Sequence, residues 1–303
     1  MDASIKKFFK PGIVHFMAYP ETTDGSDVEQ TIKKIACDEF FEVIEITCIN
    51  DPEIRYRIRD MLCDSGMEVY LGVQPVLLKN KLNLNDEDEN NRKRTIEIMK
   101  QCIDQAYEMG AKGISFLSGK YNARLRDCAL ELLLDSTERI CDYAKGKGPI
   151  MIELEVFDYE VDKKSLIGPT YLAKKFCEKI KRKFDNFGLL VDLSHIPLIG
   201  ESPYEAIIPV RDFITHIHIG NCLISDKNSP LYGDYHPPFG YPGTEIGIRE
   251  LADFLQIFID IGFFNTVKRI PVSFEVKPIK GQDPDVIVAN SKRVLEKAWL
   301  LIE

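Results

Sequence analysis

Short apolar stretches rich in β-branched and aromatic residues recur along the chain, with helix-like segments between them. Eight are counted: 12–19 (GIVHFMAY), 41–49 (FEVIEITCI), 68–75 (EVYLGVQP), 112–119 (KGISFLSG), 150–157 (IMIELEVF), 187–195 (FGLLVDLSH), 214–221 (ITHIHIGN) and 272–278 (VSFEVKP). Runs such as 188–191, oily on both faces, read as strands of a parallel sheet covered by helices. Helical periodicity fills 87–109, 125–145, 171–183, 248–261 and 286–302. Eight strands alternating with helices predict an α/β chain of the (β/α)8 type, the TIM barrel. No Ser/Gly-rich linker or low-complexity stretch breaks the alternation, so residues 1–303 read as a single domain. The longest irregular segment, 222–247, follows the seventh strand and is rich in Gly, Pro, Tyr and Asp. A loop of that length in a compact domain is usually functional. In a barrel it lies on the face where the strands end and active sites are built.

Polar residues interrupt the oily runs at one end of the barrel. In the seventh strand His216 and His218 share one parity and Ile217 and Ile219 the other, so the two histidines point into the barrel. Glu275 and Lys277 alternate in the same way with Phe274 and Val276, and Glu153 and Glu155 with Ile152, Leu154 and Val156. Asp192 ends the sixth strand. Strands five to eight thus deliver Glu155, Asp192, His218 and Glu275 to the barrel mouth. Three carboxylates do not stay ionised in one small cavity without a compensating charge. A divalent cation supplies it, and three oxygen donors with one imidazole suit Mn²⁺, Mg²⁺ or Co²⁺, with Zn²⁺ also open. The alternative is a hydrogen-bonded network of protonated carboxyls, against which stands the repetition of the feature on four adjacent strands.

A second group lies close by. In YGDYHPPFGYPG, Asp234 and His236 are one residue apart and reach one point if that segment is extended; with His195 they make three ligands and leave a position for water. His236 reads equally as a substrate-binding residue. Four of the five histidines fall at strand ends or in the long loop, and the fifth, His15, is placed in strand one. His15 and His216 read equally as core residues. Lys120, in LSGK at the end of strand four, and Lys277 are the lysines nearest this chemistry.

Composition narrows the class. A chain 45% hydrophobic and 29% charged has the makeup of a soluble globular protein, and its net charge of −9 gives no general attraction to nucleic acid or anionic membrane. The stretches KKSL and KIKRK read as solvated helix faces. Eight cysteines without a CxxC pair, and an N-terminus lacking a secretory apolar core, point to the cytoplasm; Cys102, Cys141 and Cys177 read as buried helical residues. No apolar run approaches the roughly 20 residues that span a bilayer.

The pattern of Glu on strand five, DxxH on strand six, HxH on strand seven and Glu on strand eight resembles the xylose isomerase-like barrel superfamily over essentially the whole chain, most closely the sugar (phosphate) isomerases and epimerases. In the ketose 3-epimerase branch, the resemblance implies a metal held by Glu155, Asp192, His218 and Glu275, with His195 touching substrate. The chain is also similar to the endonuclease four family. That likeness implies a further metal at His195, Asp234 and His236, matched here as DLSH and GDYH. The endonuclease branch needs histidines where this chain has Gln74 and Ser118, and the arginine that epimerases carry shortly after HxH has no counterpart in HIGNCLISDK.

The resulting expectation is a metal-dependent sugar or sugar-phosphate isomerase or epimerase that moves a proton next to a carbonyl through an enediolate. Glu155 and Glu275 would be the acid/base pair, with His195, His236, Lys277 and Lys120 binding substrate. Its partner would be a small sugar, with neither nucleic acid nor membrane involved, and barrels of this kind often form homo-oligomers. A di-metal phosphoesterase of the endonuclease type and a non-catalytic sugar-binding barrel are the alternatives.

Overall fold

In the computed structural model, which describes residues 1, 3–22 and 27–303, the eight strands form one closed parallel barrel in chain order. They are β1 (Lys10–Val14), β2 (Val43–Ile46), β3 (Glu68–Gly72), β4 (Gly113–Leu117), β5 (Met151–Val156), β6 (Phe187–Asp192), β7 (Ile214–Gly220) and β8 (Pro271–Glu275). Pairing of Gly12 with Ser273 and Ile13 with Phe274 closes β1 onto β8, so no sheet edge is left open. Between the strands run the outer helices, among them Val28–Ala36, Pro52–Ser65, Glu89–Glu108, Arg126–Lys145, Thr170–Ile180, Ile248–Asp260 and Pro284–Leu300. Asp51, Asp88 and Asp283 cap three of them by accepting first-turn backbone N–H groups. Among the described residues no helix is long and apolar enough to cross a membrane.

The period-2 alternation does what the sequence predicts. Ile152, Leu154, Ile217, Ile219 and Phe274 are buried in the apolar layer under the helices. The opposite parity fills the lumen. That lumen departs from the usual filling of bulky branched side chains: Glu45, Ser115, Glu153, His216 and Ser273 are all buried there. β7 carries one extra residue relative to β6. Leu189 pairs with Ile214 but Leu190 with His216, and this register shift sets Asp192 directly beside His218.

Three local expectations are corrected. His15 is not in a strand: β1–β2 pairing stops at Val14, and His15 opens a short helix, His15–Ala18. β3 ends at Gly72 rather than running on to residue 75. Pro75 cannot donate to a sheet ladder but suits a helix's first turn, and the chain turns into the helix Gln74–Lys79. The stretch KKSL is no solvated helix face: residues 163–166 lie in the loop between β5 and Thr170–Ile180, and the Lys163 side chain is only 20% exposed.

Candidate metal centre

The strand ends bring Glu155, Asp192, His218 and Glu275 together. One ligand atom from each lies within 4.8 Å of the others, and all four residues are buried. Asp192, His195 and His236 form a second such group, sharing Asp192 with the first. His195 starts the turn His195–Ile199 just beyond β6, and His236 and Asp234 come from the long loop after β7. That loop is not extended at His236, as the sequence reading required. His236 has φ of 60°, in the left-handed region. The kink nonetheless lays its ring against Asp234, with Nε2 2.8 Å from Oδ1. Gly220 makes room for this, since a Cβ there would come within 2.8 Å of the His236 ring and 2.7 Å of the Glu275 carbonyl.

The hydrogen bonds dictate where each imidazole carries its proton. His195 Nδ1 lies 2.8 Å from the carbonyl oxygen of Val156, and His236 Nδ1 3.1 Å from that of Glu275. A carbonyl only accepts, so Nδ1 is the N–H in both rings and Nε2 faces inward. Both Nε2 atoms approach Oδ1 of Asp234, at 3.0 and 2.8 Å. Yet among the described residues Asp234 Oδ1 and His195 Nε2 have no hydrogen-bond partner, nor do Asp192 Oδ2 and Glu155 Oε1. Asp192 and Glu155 belong to one ligand group, and a buried acceptor-type atom left unpartnered on each is costly unless a cation offsets it; Asp234 Oδ1 and His195 Nε2 stand orphaned beside them. The donor set of carboxylates and imidazoles, all buried and converging, fits a divalent ion.

Without such an ion the charges fall on protons. Burial alone would lower the pKa of His236, but the carboxylates of Asp234 and Glu275 outweigh it and push it up to about 9. His195 and His218 are likewise raised well above the ordinary value against burial, the first by Asp234 and Asp192, the second by Glu45 and Glu275. Burial holds Asp192 above the usual carboxylate range, despite the attraction of His195. A metal ion entering this group would therefore have to displace these protons.

A layer below lies a residue that the sequence reading passed over. Glu45, in the alternation of β2, is 1% exposed and faces both lumen histidines. Its carboxylate accepts from His218 Nε2 at 3.0 Å and lies 2.9 Å from His216 Nε2. His216 Nδ1 in turn meets Glu153 at 3.1 Å, so His216 bridges two carboxylates; burial opposes its charge, but Glu45 and Glu153 push its pKa up to about 9. Holding the His218 proton on Nε2 leaves the Nδ1 lone pair for the centre, where it lies 2.6 Å from Glu275 Oε2. Glu45, His216 and His218 could also be taken for a cation site. Their contacts are satisfied by N–H donors, however, and none of their atoms is orphaned. Such partners behind a ligand histidine typically change metal affinity by about 10- to 100-fold. Glu45→Gln, which keeps the volume and removes the charge, is expected to weaken metal binding at least about tenfold. A competition titration against a chelating dye checks this; unchanged affinity would remove Glu45 from that role.

The model of the xylose isomerase-like TIM barrel family matches residues 41–297, most of the chain and every element of the centre. The chain belongs to this family. Among solved structures, this xylose isomerase-like barrel is similar to a D-tagatose 3-epimerase-like protein, at 20% identity over 97% of this chain and 98% of the other, with a TM-score of 0.72. It is similar too to the D-psicose 3-epimerase of Clostridium cellulolyticum H10, at 16% identity over 97% and 100%, TM-score 0.72. The IolI protein with a bound zinc atom matches at 14% identity over 96% and 98%, TM-score 0.70. No curated protein sequence matches significantly.

The remaining sequence candidates stand further out in this xylose isomerase-like barrel. Lys277 places Nζ 4.7 Å over the Tyr235 ring and lines a cavity of about 650 Å³ with Tyr19 and Lys34. Lys120 is exposed, donates Nζ to the Lys163 carbonyl at 2.7 Å, and borders a cavity of about 470 Å³. His15 bonds Thr31 Oγ1 through Nε2 at 2.8 Å, and burial lowers its pKa to about 4. The two positions where the endonuclease branch has histidines do other work. Gln74 donates to Glu155 Oε2 at 2.6 Å, and Ser118 Oγ accepts from the Ile167 backbone at 2.8 Å.

Proposed function

We propose that this barrel is a divalent-metal-dependent isomerase or epimerase of a sugar or sugar phosphate. The observation that carries the reading is the convergence of Glu155, Asp192, His218 and Glu275 at four neighbouring strand ends, with buried acceptor atoms left unpartnered. A divalent ion bound there supplies Lewis-acid polarisation of a carbonyl and its neighbouring hydroxyl, which acidifies the adjoining C–H. Glu155 and Glu275 are the acid/base pair: one carboxylate takes the proton from carbon and the other returns it at the opposite face or the next position. Gln74 ties down Glu155 Oε2 and leaves Oε1 as the oxygen turned toward the ion and the substrate. His195 and His236, each anchored through Nδ1 to a backbone carbonyl, hold substrate hydroxyls with Nε2. Lys277 and Lys120, on the rims of the two flanking cavities, are the candidates for a phosphate or for developing negative charge. The similarity to proteins named as sugar 3-epimerases supports the same reading.

A second reading, a di-metal phosphoesterase, is favoured by the group of Asp192, His195 and His236 with Asp234 beside it. One experiment separates the two. Protein purified without chelator is assayed for metal content, for turnover of a panel of ketoses and ketose phosphates in D₂O, and for hydrolysis of phosphate esters. The expected result is an isomer or epimer carrying solvent deuterium at the reacting carbon. Ester hydrolysis with no sugar turnover would overturn the proposal.

A further inference from the structure

Lys163 reaches the metal centre from a loop with no sequence signature. Its Nζ lies 2.8 Å from Asp234 Oδ2 and 2.9 Å from Asp162 Oδ2, and the same Asp162 oxygen accepts the Asp234 backbone N–H at 3.2 Å. The loop is built to hold this aim. Asp158, fully buried, accepts three backbone N–H groups, from Val161 at 2.6 Å, Asp162 at 2.7 Å and Lys163 at 2.6 Å. Lys120 and Ser165 pair as an antiparallel bridge, flanked by bonds from Tyr121 N to Lys164 O and from Leu166 N to Gly119 O, each 2.7 Å, which tie the loop to the end of β4.

One oxygen of Asp234 is therefore taken by an ammonium, while the other faces the Nε2 atoms of His195 and His236. A second divalent ion on those imidazoles would share Asp192 with the first ion, so the further negative charge it needs is that of Asp234, which Lys163 already neutralises. It would also stand near the fixed positive charge of Lys163, whose side chain is only 20% exposed, so that water screens it less than on the open surface. We propose that Lys163 takes the place of a second metal ion, so that the centre holds one ion and leaves His195, Asp234 and His236 to the substrate. The inference rests on the metal centre proposed above and decides between its two readings.

The test is zinc stoichiometry, by equilibrium dialysis of the apo-protein against Zn²⁺ and elemental analysis. The wild type and Lys163→Arg, which keeps the charge, are expected to hold one ion per chain. Lys163→Met is expected to hold two, and the double variant with Asp234→Asn one again. Near-UV circular dichroism checks that each variant is folded, and Lys163→Gln is the substitute if Met perturbs the loop. Two ions in the wild type overturn the inference whatever the variants do. One ion in both folded Lys163→Met and Lys163→Gln overturns it while leaving the isomerase reading intact. No zinc in the wild type overturns that reading, and this inference with it.

Discussion

Glu275→Gln is expected to lower turnover by about 10²- to 10⁴-fold, the contribution typical of a positioned acid/base group. The substitution keeps the shape of the side chain, and the Glu275 backbone carbonyl that anchors His236 Nδ1 is untouched. What disappears is the carboxylate whose Oε2 lies 2.6 Å from His218 Nδ1 and whose Oε1 is 3.6 Å from His236 Nε2. An amide neither takes a proton from carbon nor returns one. The measurement is kcat at saturating Mn²⁺, together with wash-in of solvent deuterium into unreacted substrate. Loss of both, with metal still bound, assigns the proton-transfer role. Near-normal deuterium exchange would take that role away from Glu275 and leave it as a ligand at most.

A larger effect is expected at Asp192, because it belongs to both ligand groups. Asp192→Asn keeps Oδ1, which accepts the Ser194 backbone N–H at 2.7 Å and holds the turn into His195. It replaces the orphaned Oδ2 by a donating NH₂ at the proposed cation site. A donor pointed at a cation site is repulsive as well as deficient in charge. The protein should fold, retain less than about a tenth of the wild-type metal after dialysis, and lose turnover with it, since in the proposed mechanism the bound ion orients the substrate carbonyl. Elemental analysis and thermal melting read the two halves separately. Wild-type metal content in Asp192→Asn would show that Glu155, His218 and Glu275 suffice, and would move the centre away from Asp192.

The alternation of Ile217 and Ile219 with His216 and His218, and of Phe274 with Glu275, determined by itself the barrel, the direction in which each side chain points and the polar residues that stand at the strand ends. That much is legible because side-chain direction along a strand has period 2, so a local run encodes which face is buried. Glu45 carries the same signal between Ile44 and Ile46. It is missed because its significance depends on meeting His218, 173 residues away in the chain, across a barrel that must first close. The loops carry no periodicity at all. Nothing in YGDYHPP announces that His236 adopts a left-handed backbone, and nothing in KKSL announces that Lys163 is folded inward by Asp158 onto Asp234. Which residues stand at the mouth was thus written in the local pattern. Which carboxylate meets which imidazole, where each proton resides and what neutralises Asp234 were decided by tertiary structure, because hydrogen bonds and charges act between groups that only closure of the barrel brings within a few ångströms.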